Sequence, residues 1–166
     1  MSTMDNLQAA FAGESQANRK YLAFAKKAEE DGYPQVAKLF RAAAEAETIH
    51  AHAHFRVMGG IKETAANLEA AIAGEGHEFQ QMYPKFLSEA QAEGMKPAEF
   101  SFKNALAVEE IHYGLYSKAL EAVKSWSDLS TSPIYVCPVC GNTVEGGAPD
   151  TCPVCNVPGS KFFEVK

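Results

Sequence analysis

The sequence predicts an all-α four-helix bundle followed by a small metal-stapled β domain, and three observations carry that prediction. The first is a repeat: Glu47-Thr48-Ile49-His50 returns as Glu109-Glu110-Ile111-His112, and a single upstream acid, Glu14 or Glu75, precedes each copy. The spacing is 33 residues from Glu14 to Glu47 and 34 from Glu75 to Glu109, so one helix pair occurs twice. The second is a set of four apolar stripes at helical spacing, separated by breaks at Asp31-Gly32-Tyr33-Pro34, Gly59-Gly60 and Gly94-Met95-Lys96-Pro97. The third is a pair of Cys-x-x-Cys motifs near the C-terminus, Cys137/Cys140 and Cys152/Cys155.

The first helix spans residues 4 to about 31, with the stripe Leu7, Phe11, Glu14, Asn18, Tyr21, Ala25, Ala28. Pro34 opens the second, where its missing N–H costs nothing, and Gly59-Gly60 ends it. Its stripe is Val36, Phe40, Ala43, Glu47, His50, His54, Val57. The third helix starts near Thr64 and carries Leu68, Ile72, Glu75, Phe79, Met82, Phe86. Gly74, Gly76 and Pro84 lie inside it, at a cost of roughly 1 kcal/mol per Gly and 3 for Pro. The glycines permit close helix approach or small-molecule access, and Pro84 is expected to bend the helix by freeing the carbonyl of Gln80. The fourth helix follows Pro97, carries Phe102, Leu106, Glu109, Tyr113, Tyr116 and Leu120 with His112 beside them, and fades at Lys124-Ser125. Ser125 to Pro133 has no apolar period. The expected division is a bundle over 1–125, a linker over 126–134 and a small domain over 135–166.

Residues three apart on a helix share a face, so Glu-x-x-His aims a carboxylate and an imidazole at one point. A four-helix bundle that holds two metal ions takes one Glu from each of two helices and a Glu-x-x-His from each of the other two. Glu14, Glu47/His50, Glu75 and Glu109/His112 supply all four pieces in order, and Glu78 adds a fifth carboxylate. The acids sit on apolar stripes, where ionised carboxylates are not left unpaired. By phase His52 faces solvent, and His54 is a packing or supporting histidine rather than a ligand.

At 166 residues and 46 % hydrophobic content the chain can bury a core. A net charge of −6 argues against nucleic acid as a partner. No apolar run approaches the ~18 residues of a membrane span and the N-terminus lacks signal regions, so a cytoplasmic location is the default. The cysteines read as two thiolate knuckles closing a tetrahedral site, without which so short a module could not fold. A disulfide pair is the competing reading and suits secreted chains. Four thiolates accept zinc and iron alike. Zinc would make the module structural, whereas iron would make it a one-electron relay to the bundle.

Taken together these motifs resemble the rubrerythrin family over essentially the whole chain. The resemblance implies a ferritin-like di-iron bundle joined to a rubredoxin-like domain with one iron held by Cys137, Cys140, Cys152 and Cys155. It makes Glu14, Glu47, Glu75, Glu78 and Glu109 carboxylate ligands, with Glu47 and Glu109 bridging, and His50 and His112 the imidazoles. Tyr21 and Tyr83 match family tyrosines that hydrogen-bond near the irons. The implied activity is reduction of hydrogen peroxide to water, with electrons from reduced pyridine nucleotide through a reductase and rubredoxin. One iron is implied to exchange Glu78 for His50 between oxidation states. Ile49 stands where an acid is frequent, and Asn156 where Gly usually follows the last cysteine. Asn tolerates the left-handed backbone expected there. The alternatives are a ferroxidase or iron-storage protein, and a non-catalytic binding module with a structural zinc ribbon.

Assembly follows from the connection between helices two and three. They run parallel in a ferritin-like bundle, yet about five residues span at most roughly 18 Å, against roughly 37 Å for a helix of some 25 residues. Either the bundle is a simple up-down-up-down one, or the two helix pairs are exchanged between chains. Exchange satisfies both constraints, and some members of the family resembled assemble that way. The expectation is a domain-swapped homodimer in which Glu14, Glu47 and His50 meet Glu75, Glu78, Glu109 and His112 from another copy.

Overall fold

The computed structural model describes residues 2–166 and divides into two compact units, one ending at Lys62 and the other beginning at Glu63. The first unit is a helix hairpin. Helix α1 (Thr3–Glu30) starts at Ser2, whose side chain accepts from the Asp5 N–H while the Asp5 carboxylate accepts from the Ser2 N–H, satisfying two of the helix's orphan donors. It stops at Gly32, whose φ of +81° lets the N–H groups of Gly32 and Tyr33 turn back onto the Glu29 and Ala28 carbonyls. Helix α2 (Pro34–Val57) follows at once, with Pro34 in its first turn.

The two helices meet along Ala37, Ala44 and Ala51, which are 0 %, 0 % and 6 % exposed. On α1 the matching buried positions are Asn18, Ala25 and Ala28. This differs from the expected seam of α2, since Val36 and Val57 on that seam are exposed. Alanines let the two backbones approach closely, so the hairpin contact falls one position around from the stripe that carries Glu47 and His50. Asn18, on the predicted stripe of α1, is buried and ties the pair together by donating to the Ala44 carbonyl and the Thr48 hydroxyl.

The second unit holds the other helix pair and the C-terminal module. Helix α3 (Thr64–His77) runs into a π-helical segment, Glu78–Met82, and then into α4 (Tyr83–Ala92). Pro84 therefore disturbs the third rod as a widened turn, in which the Tyr83 N–H bonds the Glu78 carbonyl. Widening relieves the clash between a proline ring and the carbonyl four residues back. Gly76 is buried, and a Cβ there would lie 3.3 Å from the Tyr113 ring. Close approach is thus its role, while Gly74 faces open space. Helix α5 (Lys96–Lys124) packs along both α3 and α4. Its end at Trp126 adopts φ +56°, where glycine is usual.

Beyond it, β1 (Ile134–Val136) pairs antiparallel with β2 (Thr143–Glu145) and with β3 (Phe163–Glu164), giving the order β2-β1-β3. Tyr135 stands opposite Val144 on one side and Glu164 on the other. So small a sheet leaves Cys137, Cys152 and Asn142 as the module's fully buried side chains. The cysteines, not an apolar core, are its centre. Among the described residues no helix is long and apolar enough to cross a membrane.

Candidate metal centres

Each helix pair gathers its own cluster of two carboxylates and a histidine. In the first unit, ligand atoms of Glu14, Glu47 and His50 all lie within 4.8 Å of one another. His50 Nδ1 is 3.0 Å from Glu47 Oε2, as the three-residue spacing on one helix face requires. In the second unit Glu75, Glu109 and His112 form the same cluster within 4.8 Å. There His112 Nδ1 is 2.9 Å from Glu109 Oε2 and 3.8 Å from Glu75 Oε1.

The second cluster is crowded with negative charge. Burial, and then the charge of Glu109, push the Glu75 carboxyl up to about 7. Burial and Glu109 also raise Glu78, against a lowering by His77. Glu78 opens the π segment, so the widened turn carries the fifth carboxylate. Tyr83 is held as a neutral phenol, raised by burial and by Glu78, Glu109 and Glu75. A group of acids that raise one another in this way fits divalent cations, which would remove the repulsion. Tyr21, half-buried in the first unit, packs with Phe24 and Phe40 at ring separations of 6.4 and 6.2 Å. His52 is exposed and His54 half-buried, and neither belongs to a ligand cluster among the described residues.

The four cysteines are unpaired thiols whose sulfurs lie within 4.8 Å of one another. Cys137 and Cys155 approach to 3.6 Å, and so do Cys140 and Cys152. The residue after each Cys-x-x-Cys pair is left-handed, Gly141 at φ +86° and Asn156 at +62°, the conformation expected of Asn at that point. The knuckles close through bonds from the Gly141 N–H to the Cys137 carbonyl and from the Asn156 N–H to the Cys152 carbonyl, both 2.9 Å. Burial pushes the Cys152 thiol up, but the backbone N–H groups of Cys155 and Val154 and its cysteine neighbours outweigh it and hold it at about 7. Burial raises Cys140 and Cys155. Four sulfurs gathered this closely suit a cation that takes all four as thiolates.

A family profile described as Rubrerythrin matches residues 5–120, and a second, described as Rubrerythrin, rubredoxin-like domain, matches residues 135–163. The chain belongs to the rubrerythrin family. It is 38 % identical to Rubrerythrin-2 of Clostridium acetobutylicum, covering 96 % of this chain and 95 % of that one. It is 37 % identical to nigerythrin of Nitratidesulfovibrio vulgaris, covering 97 % and 85 %. A solved structure of nigerythrin in the fully reduced, all-ferrous state aligns with a TM-score of 0.57 at 34 % identity, over 99 % of this chain and 87 % of that one. Rubrerythrins are di-iron oxidoreductases, and this member carries the donor sets of a carboxylate di-iron site and of a rubredoxin-like four-cysteine iron site.

Two side chains that no sequence pattern indicated touch these sites. Asn142, 1 % exposed, donates from Nδ2 toward Cys152 Sγ at 3.7 Å. Thr143 places its hydroxyl 3.0 Å from His112 Nε2, a contact between residues 31 apart in sequence. No helical period or knuckle spacing reaches across that separation.

Proposed function

We propose that the protein is a non-haem di-iron peroxidase that reduces hydrogen peroxide to water, with the four-cysteine iron passing electrons to the di-iron site. The observation that carries this reading is that the four-cysteine module rests on α5, the helix that bears Glu109 and His112. Gly141 faces Val108, Thr143 bonds His112, and Glu145 pairs with Lys118. A structural zinc ribbon or a storage cage has no need of such placement.

In this reading Glu14, Glu47, Glu75 and Glu109 would hold the metals, with Glu47 and Glu109 in the positions that the family resemblance shares between them, and His50 and His112 would complete the donor set. When bound, the two irons supply the two electrons that reduction of one peroxide consumes. The protein's own part is to place donors and manage protons. Glu78, whose carboxyl protonates more readily than an ordinary one because it is partly buried and near Glu109, would be the ligand suited to leave and return, exchanging with His50. Tyr83 keeps its proton and offers an O–H donor beside that carboxylate, and Tyr21 is assigned the same part in the other half. The electron donor is a rubredoxin or an NAD(P)H-dependent reductase. Four unpaired thiols support a reducing compartment, the cytoplasm.

A full cage needs both half-sites, while α2 ends at Val57 and α3 begins at Thr64. That short connection supports a homodimer in which the Glu14/Glu47/His50 half of one chain completes the Glu75/Glu109/His112 half of a second copy. The function is tested by anaerobic turnover with NAD(P)H, a reductase, rubredoxin and peroxide. Oxidation of one NAD(P)H per peroxide is expected. Oxidation of added ferrous ion with mineral accumulation, and no peroxide-dependent turnover, would establish the ferroxidase reading instead.

A further inference from the structure

His112 presents its two ring nitrogens to different neighbours. Nδ1 faces Glu109 and Glu75, and Nε2 faces the Thr143 hydroxyl at 3.0 Å. That hydroxyl has one hydrogen, and the Gly141 carbonyl at 3.1 Å is placed to accept it. In that arrangement the hydroxyl oxygen accepts from His112 Nε2. With a cation bound among the carboxylates, that places the ring proton on Nε2 and leaves the Nδ1 lone pair for the metal.

We propose that Thr143 is a positioning residue for metal binding: it fixes the tautomer and ring angle of His112 from within the four-cysteine module. The inference rests on His112 being a metal ligand. Two further contacts place the module along α5. Gly141 stands over Val108, where a Cβ would lie 3.7 Å from Cγ1, one turn before His112, and the Lys118–Glu145 pair lies further along the helix. A mostly apolar cavity of about 270 Å³, with Leu68, Leu115 and Ile134 in its wall, borders the His112–Thr143 bond. Such surroundings limit competition by water.

The duplicated half does not share the device. Among the described residues the one hydrogen-bond contact of His50 is Glu47, on its own helix, and its side chain is 57 % exposed. Repeat symmetry gives the two histidines the same local frame. The C-terminal module pins only His112, whereas His50 is held from its own helix alone, a difference that suits a site in which His50 exchanges while His112 stays.

The test uses full-length protein with zinc already in the four-cysteine site and the carboxylate site emptied. Zinc is titrated in by calorimetry, and nitrogen NMR of the loaded protein assigns which ring nitrogen of His112 carries the proton. The wild type is expected to show a protonated Nε2 and a metal-bound Nδ1. Thr143→Val keeps the shape without the acceptor and should weaken zinc binding by about tenfold or more, the usual effect of removing a ligand's hydrogen-bond partner, with Thr143→Ser restoring it. Thr143→Val binding within about twofold of wild type, or a proton on Nδ1 in the loaded wild type, would overturn the proposal. His112→Ala is the control. If it left zinc binding intact, the ligand assignment itself would fall, whereas loss in His112→Ala with none in Thr143→Val would reject Thr143 alone.

Discussion

Nδ1 of His112 stands 2.9 Å from Oε2 of Glu109. The same pair of atoms recurs at 3.0 Å between His50 and Glu47, so each Glu-x-x-His copy builds one identical local unit. Removing one carboxylate from such a unit therefore takes away half of a Glu–His pair. Mixing a Glu47→Ala chain with a Glu109→Ala chain is expected to restore about a quarter of wild-type sites after co-refolding, if exchanged dimers pair at random. No recovered activity in verified heterodimers would show that every site is built within one chain.

Glu78→Ala should keep the fold and the metal yet lower peroxide turnover by roughly tenfold or more. The residue begins a π segment that has no buried side chain, so its removal leaves the packing intact. Thermal melting together with steady-state turnover checks this. Unchanged turnover at saturating electron donor would end the ligand-exchange reading.

The metal-free protein should lose stability as pH rises. The Glu75 carboxyl, ordinarily near 4.5, is held at about 7 in the folded chain, first by burial and then by Glu109. Between those values the folded state holds a proton that the unfolded chain releases, so folding is favoured below about 4.5 and that advantage fades as pH climbs through about 7. Melting temperatures of metal-free protein between pH 5 and pH 8 should fall, and Glu75→Gln should flatten the trend. A cation in the site opposes the effect by stabilising the carboxylate form.

Cys140→Ser should remove the four-thiolate metal and unfold residues 135 to 166, because a closed thiolate site supplies most of the stability of so small a module. Loss of the sheet signals in NMR, with the helical circular dichroism retained, is the expected result. In the helices, Gly76→Val should cost roughly 1–3 kcal/mol by forcing the Tyr113 ring away, since even a Cβ at Gly76 lies 3.3 Å from it.

Much of this was legible in the sequence because it is periodic. Glu14, Glu47, His50, Glu75, Glu109 and His112 stand out as acids and imidazoles on apolar stripes, and the cysteines announce themselves by spacing. The left-handed turn at Asn156 follows from a local rule about which residues tolerate that backbone. The alanine contact of α2 was less legible, because a helix that must face two neighbours has two stripes, and pattern alone weights the larger side chains. The π segment at Glu78–Met82 was visible only as a warning at Pro84, since a proline shows that the ladder is disturbed and not how the helix adapts. Thr143 could not be found at all. Its contact with His112 depends on how the module lies on α5, which no local pattern encodes.

The central claim, a peroxide-reducing di-iron site served by an iron–thiolate relay, is tested most directly by following visible absorption while fully reduced, iron-loaded protein is titrated anaerobically with hydrogen peroxide. About one peroxide per pair of carboxylate-site irons should be consumed first, because two electrons reduce one peroxide, and ferric–thiolate colour should then return as the four-cysteine iron is oxidised in turn. A protein that stays colourless because the thiolates retain zinc, or a reduced iron form that peroxide leaves unchanged, would contradict that claim.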